Sequence, residues 1–145
     1  MSPLSTGWIE VLGFEEAFFP EESAMNYLKK REYRRRVPMD GFILADDTNF
    51  DYLLKDDSKA IIVDFWSPTC TPCKLIEPGL EKIASRYGTR VKILKVNVND
   101  SPKTSSRYLV RGLPTLLFIK NGSVRTQMVG AVNPLQIEQT LQRVI

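Results

Sequence analysis

Strand-like apolar runs alternate with helical patterns in the order β-α-β-α-β-α-β-β-α. That order predicts an α/β fold, a mixed central sheet with helices on both faces. Three observations carry the prediction. Ala60–Trp66 is an apolar, β-branched run that reads as a buried strand, and a helical pattern from Lys74 to Tyr87 follows it closely. Val91–Asn97 alternates apolar residues and reads as another strand. Thr115–Ile119 and Ser123–Val129 flank Lys120-Asn121-Gly122, and Asn-Gly between two such runs is the strongest short-range hairpin signal.

The elements follow in order from Gly41. Phe42-Ile43-Leu44 reads as a short strand, and Thr48 is the expected cap of a helix through Phe50, Leu53 and Leu54. After strand 60–66, helix 71–87 places Leu75, Ile76, Leu80, Ile83 and Ala84 at helical spacing, and Pro78-Gly79 within it predicts a kink. Ser101–Tyr108 is polar and reads as a short helix. Asn133-Pro134 is expected to cap a final amphipathic helix carrying Leu135, Ile137, Leu141, Val144 and Ile145.

With 145 residues the chain has room for one domain plus an appendage. A composition 43% hydrophobic and 26% charged is that of a soluble globular protein. Twenty basic against 17 acidic residues give a net charge of only +3, which makes no case for nucleic-acid binding. No apolar run approaches the roughly 20 residues that span a bilayer. The start lacks the pattern of a secretory leader, and its glutamates argue against a transit peptide. With only two cysteines, the reducing cytoplasm is the default compartment.

Residues 1–38 form an N-terminal extension to the domain at 39–145. Its first half is acidic and aromatic, with Trp8, Phe14, Phe18 and Phe19; its second half holds Lys29, Lys30, Arg31, Arg34, Arg35 and Arg36. Phe19-Pro20-Glu21-Glu22 looks like a helix start, and the helix is expected to run to about Arg36, before Pro38. Such a segment serves either as a solvated arm packed on the domain or as a docking segment for a partner. The sequence does not choose between them.

Chemistry concentrates at Trp66-Ser67-Pro68-Thr69-Cys70-Thr71-Pro72-Cys73-Lys74, which holds both cysteines of the chain. They fall on a strand-to-helix turn, with Cys70 at or near the helix N-terminus. Unpaired N–H groups and the helix dipole there stabilise a thiolate, and the thiolate is the nucleophile in disulfide exchange. Cys73, one turn along, is within reach to resolve a mixed disulfide. Two other roles stay open for the pair. One is a structural disulfide, although so small a loop restrains the unfolded chain little. The other is half of a zinc site, although tetrahedral zinc wants four ligands and the chain has no His and no further Cys.

This stretch resembles the thioredoxin family, whose usual sequence here is Trp-Cys-Gly-Pro-Cys-Lys. The resemblance covers roughly residues 39–145. It rests on Val63-Asp64-Phe65-Trp66, Cys70-Thr71-Pro72-Cys73-Lys74, Lys95-Val96-Asn97, Arg111-Gly112-Leu113-Pro114-Thr115, Lys120-Asn121-Gly122 and Val129-Gly130-Ala131 in order. It implies a thioredoxin fold and a set of site residues. Cys70 would attack and Cys73 would resolve. Asp64 would be a buried acid that takes the proton from Cys73, its pKa raised by burial; otherwise it is an Asp facing solvent at a strand end. Lys95 would lie near that acid and tune it, or be an ordinary surface lysine. Pro114 would be cis, against the usual preference. Leu113 would offer backbone groups to an extended substrate segment, with Gly112 and Gly130 leaving room for it or serving simply as turn residues. Pro72 restricts the turn, and Trp66 would pack beside the site. Two positions depart from the family. Thr69 stands where a second tryptophan is usual, which removes an apolar plate next to the thiolate. Thr71 replaces the usual glycine.

The expected function is therefore a thiol–disulfide oxidoreductase that reduces protein disulfides by a Cys70/Cys73 cycle. Its partners would be client proteins with disulfides, a thioredoxin-reductase-type electron donor and a partner of the extension. No bound cofactor or metal is expected, because the sulfurs carry the electrons. One alternative is a redox-switched interaction module that uses the fold and residues 1–38 to bind a dedicated partner. A further one is an oxidase or isomerase of an oxidising compartment.

Overall fold

The computed structural model describes residues 41–55, 58–130 and 132–145. The extension, with the helix expected up to Arg36, lies outside the described residues. The elements are β1 (Phe42–Ala45), α1 (Phe50–Leu53), β2 (Ala60–Trp66), α2 (Thr71–Tyr87), β3 (Val91–Asn97), α3 (Pro102–Arg107), β4 (Thr115–Lys120), β5 (Ser123–Val129) and α4 (Pro134–Val144). A 3₁₀ turn at Gly88–Arg90 joins α2 to β3. The order is the one the sequence predicts.

The strands form one sheet in the order β1-β3-β2-β4-β5. β1 and β2 run parallel to β3, whereas β4 is antiparallel to β2 and β5 to β4. β2 is the central strand, and six of its seven residues are buried. A strand covered on both faces needs apolar side chains on both, which is why 60–66 reads as a nearly continuous apolar run. The β4–β5 connection turns at Asn121 and Gly122 with φ of 52° and 79°. Both values are positive, as a two-residue type I′ hairpin requires.

Side-chain alternation divides the core into two layers. On one face Ala60 and Ile62 of β2, Val91 and Ile93 of β3, and Leu116 and Phe118 of β4 pack with Ile76, Leu80 and Ile83 of α2 and Ile137 and Leu141 of α4. Residues 61, 63 and 65 of β2 point to the opposite face. There Phe50 of α1 meets Tyr108 edge-on, and Tyr108 also lies 6.2 Å from the Phe65 ring. Asp64 belongs by alternation to the first layer, facing α2. That single register fact positions the site.

One expected cap is different. Thr48 does not cap α1: the helix begins after Asn49, whose side chain makes no cap bond. The Asp46 carboxylate instead accepts the N–H groups of Thr48 and Asn49 and the Thr48 hydroxyl, and the Asp46 N–H donates to Asn49 Oδ1. The Thr48 hydroxyl is itself committed as a donor to that carboxylate, and the Phe50 N–H is taken by the Asp46 carbonyl at 3.0 Å. The cap expected for α4 is present: Asn133 Oδ1 accepts the Leu135 N–H at 2.7 Å and the Asn133 N–H donates to Gln136 Oε1.

α2 continues through Pro78, which leaves one position without its backbone donor. Next to it, Gly79 lets α4 approach closely: a Cβ on Gly79 would lie 2.7 Å from Pro134 Cβ and 3.0 Å from its Cγ. Gly79→Ala gains up to about 1 kcal/mol of helix propensity, but the rigid proline ring cannot rotate away. We expect net destabilisation of about 1–3 kcal/mol, measured by urea unfolding. An unchanged or raised midpoint would show that α4 shifts aside freely.

Candidate active site

β2 ends at Trp66, and the Cys70 N–H donates to the Ser67 carbonyl at 3.1 Å, turning the chain toward α2. Cys70 is the N-cap of α2, in extended conformation, and its Sγ accepts the Cys73 N–H at 3.2 Å. A sulfur thus occupies the place of a capping oxygen, on the positive end of a 17-residue helix. Pro72 falls in the first turn, where a missing N–H costs nothing. Cys70 and Cys73 are joined as a disulfide. Cys70 is half-buried, whereas Cys73 is 1% exposed and faces the sheet. Only Cys70 is therefore open to attack or to be attacked from outside.

The sheet gathers further segments at this end. Because β4 is antiparallel to β2, Thr115 lies opposite Phe65, so the chain entering β4 passes beside the chain leaving β2. That entering segment is Gly112-Leu113-Pro114, with the Leu113–Pro114 peptide cis. The Thr115 hydroxyl donates to the Gly112 carbonyl at 2.6 Å. The Gly130 N–H donates to the Pro114 carbonyl at 2.8 Å, tying the end of β5 to the same loop. Gly130 has φ +92°, and a Cβ on Gly112 would sit 3.3 Å from Val129 Cγ1. The first needs the left-handed region, and the second needs the space. Thr69 and Thr71, on either side of Cys70 in sequence, are exposed, and Thr69 Oγ1 lies 3.4 Å from Ser67 Oγ.

Beneath this rim lies a buried charge cluster. Asp64 and Lys95 are register partners on the parallel pair β2–β3. Asp64 is fully buried and Lys95 is 4% exposed. Lys95 Nζ stands 3.3 Å from Asp64 Oδ2 and also hydrogen-bonds Glu77 Oε2 on α2. The ammonium lies 4.9 Å from the Trp66 ring centroid and 5.3 Å from that of Phe42. Neither Asp64 oxygen accepts a hydrogen bond among the described residues. The Lys95 contact is a charge attraction without hydrogen-bond alignment. Burial therefore dominates and pushes the Asp64 carboxyl up from an ordinary 3.8 to about 6; Lys95 pulls it down, and the Glu77 charge pushes it up. Glu77 is one turn beyond Cys73 on α2, so the cluster reaches the helix that carries the buried thiol.

Glu77 is the member that sequence reasoning passes over. Its signal is a carboxylate four residues after Cys73, next to apolar Ile76; only the docking of α2 on the sheet brings it to Lys95. Among the described residues no group of three or more His, Cys, Asp or Glu could hold a metal ion. None of the described helices is long and apolar enough to cross a membrane.

A half-buried sulfur capping a helix and disulfide-linked to a buried one three residues on defines a dithiol–disulfide redox protein. The thioredoxin family model matches residues 41–143. A thioredoxin from Acidithiobacillus ferridurans is 39% identical over 98 residues, covering 68% of this chain and 91% of that protein. A thioredoxin from Haemophilus influenzae is 41% identical over 92 residues, 63% of this chain and 86% of the relative. An M-type chloroplastic thioredoxin from Pisum sativum is 33% identical over 102 residues, 70% of this chain and 59% of the relative. The chain belongs to the thioredoxin family: it is a thioredoxin-type thiol–disulfide oxidoreductase, a protein-disulfide reductase. Membership implies client proteins with disulfides and a reductase that supplies electrons.

The raised Asp64 pKa is also a statement about stability. A carboxyl with a higher pKa folded than unfolded favours the native state while protonated. That contribution is complete below about 3.8 and is lost as pH rises through about 6. Asp64→Asn, which stays neutral, should therefore raise the unfolding free energy at pH 7.5 by about 2–3 kcal/mol. The gain should vanish near pH 4. Denaturant titrations at the two pH values check this; an equal effect at both would show that ionisation is not the cause.

Proposed function

We propose that Cys70 is the attacking thiolate, Cys73 the resolving thiol and Asp64 the proton acceptor in reduction of client disulfides. The observation that supports this most is the division of exposure and environment: a half-buried Cys70 at a helix N-terminus, and a buried Cys73 in the layer that holds Asp64. In the first step the Cys70 thiolate attacks one sulfur of a client disulfide. A Cys70–client disulfide forms and the other client sulfur leaves as a thiolate, which takes a proton from water. In the second, Cys73 gives its proton to the Asp64 carboxylate and its thiolate attacks Cys70 Sγ. The Cys70–Cys73 disulfide forms, and the second client sulfur leaves as a thiolate that takes up the proton held by Asp64, which returns to the carboxylate. The client gains two electrons and two protons, and a reductase or another dithiol protein restores the Cys70/Cys73 pair.

In this reading Lys95 tunes Asp64, and Leu113 and cis-Pro114 present backbone to an extended client segment, as in strand addition. Gly112 and Gly130 keep that approach clear, and Trp66 covers the cluster. Thr69, Thr71 and Pro72 form the rim against which the client lies. Residues 39–145 are the catalytic domain, and residues 1–38 are an extension that docks a partner or packs as an arm. The protein works in a reducing compartment, with the cytoplasm as the simplest assignment.

Reduction of a generic disulfide protein by the intact chain, by residues 39–145, by Cys70→Ser and by Cys73→Ser tests the assignment. We expect turnover by the first two and none by either serine variant. Cys73→Ser alone should accumulate a stable mixed disulfide with the client, visible as an adduct on non-reducing gels. If the intact chain fails to turn over although its disulfide forms and opens reversibly, general reduction is wrong. A redox-switched binding module for a dedicated partner then takes its place.

A further inference from the structure

We propose that Glu77 is a positioning residue for the resolving step: it holds one side of the Lys95 ammonium, so that Asp64 shares that cation and stays able to bind a proton. This rests on the assignment of Asp64 as proton acceptor and deepens it. Three observations carry it. Lys95 is nearly buried between two carboxylates, hydrogen-bonded to Glu77 but only 3.3 Å and misaligned from Asp64. Glu77 is on α2, four residues after Cys73, so the bond links the strand carrying Lys95 to the helix carrying the resolving thiol. Glu77 is 37% exposed at its side chain, while Asp64 is sealed. Of the two acids, the wetter one pays less for its charge and takes the aligned hydrogen bond.

The charged and titratable groups facing Asp64 are few. Among the described residues β3 contributes Lys95 and α2 contributes Glu77; Cys73 enters as the group whose proton Asp64 takes in the proposed reading. The register partner on β4, Leu116, is apolar. With Glu77 neutral, the ammonium would have one carboxylate left to pair with. It would align on Asp64 and fix that group in its ionised form, making it a weaker base. The Glu77 charge also repels the Asp64 charge directly, in the same direction.

The test follows the Asp64 carboxyl by carbon-13 NMR across pH in the full-length oxidised protein, together with client release from a preformed Cys70–client disulfide. The wild-type midpoint should lie at about 6. In Glu77→Gln it should fall by about 0.5 to 1 pH, the smaller figure reflecting solvent screening of a partly exposed group. The acid limb of the release rate should move down with it. In a Lys95→Met background, Glu77→Gln should shift the midpoint by less than half as much. An unmoved midpoint in folded Glu77→Gln overturns the proposal and leaves a structural ion pair. So does a full-sized shift without Lys95, since the coupling then bypasses it. If Asp64→Asn releases client as fast as wild type, the proton-acceptor assignment fails instead, whatever the Glu77 variant does.

Discussion

A carboxylate with no aligned hydrogen bond, buried on the central strand, is the constraint from which the rest of this structure follows. Putting Asp64 in the layer between sheet and α2 removes it from water, and such a group is tolerated only where a partner or a function requires it. The partner comes from sheet register: the parallel pairing of β2 with β3 places Lys95 beside Asp64. A slip of one residue would send Lys95 to the opposite face and leave the carboxyl unpaired. The strongly apolar flanks of both strands, Ile61 to Val63 and Ile93 to Leu94, hold that register because both faces are covered. The apolar core thus fixes where the charges meet.

The same sheet fixes where the sulfurs meet a client. The C-terminal ends of β2 and β5 and the N-terminal end of β4 lie together, and Val98 N–H donates to the Trp66 carbonyl to bring the end of β3 there too. Chain segments leaving a sheet at one end form a rim without further design. Here the rim holds the disulfide turn on one side and the cis-Pro114 loop on the other. A backbone bond from the Gly130 N–H to the Pro114 carbonyl and a side-chain bond from the Thr115 hydroxyl to the Gly112 carbonyl tie this loop in place.

Most of the fold was legible because its strands are period-two or continuous apolar runs with strong punctuation. Asn121-Gly122 marked the hairpin, and Asn133-Pro134 marked the start of α4. The Cys70–Cys73 turn is legible from the strand and helix patterns on either side of it, and its redox role from the resemblance together with the spacing. Asp64 stood out because an acid within an apolar strand demands an explanation. What could not be read was competition between neighbours. Thr48 reads as the cap of α1, but Asp46, two residues earlier, accepts its hydroxyl and its N–H and takes the Phe50 N–H on its carbonyl. Glu77 carries no local signal, since its meaning lies in Lys95, eighteen residues away and on another element. Local pattern shows which residue types are present. Register and helix docking decide which of them share a charge.

The energetics of the site also explain its place in the fold. An Asp64 that ionises near neutrality weakens the native state at working pH, and a side chain with no charge would pack there at less cost. Only a large, two-layered core can carry that burden, and the site lies against the most completely buried strand of the sheet. Stability given up at a functional group is a common mark of such sites. Here the amount given up is set by how Lys95 is divided between its two acids. A lysine wholly committed to Asp64 would stabilise the folded chain and leave a poor base. A lysine wholly withdrawn would leave an acid that stays protonated and cannot accept the proton of Cys73. The geometry lies between these limits, with the aligned bond on the solvent side and the looser contact on the buried side.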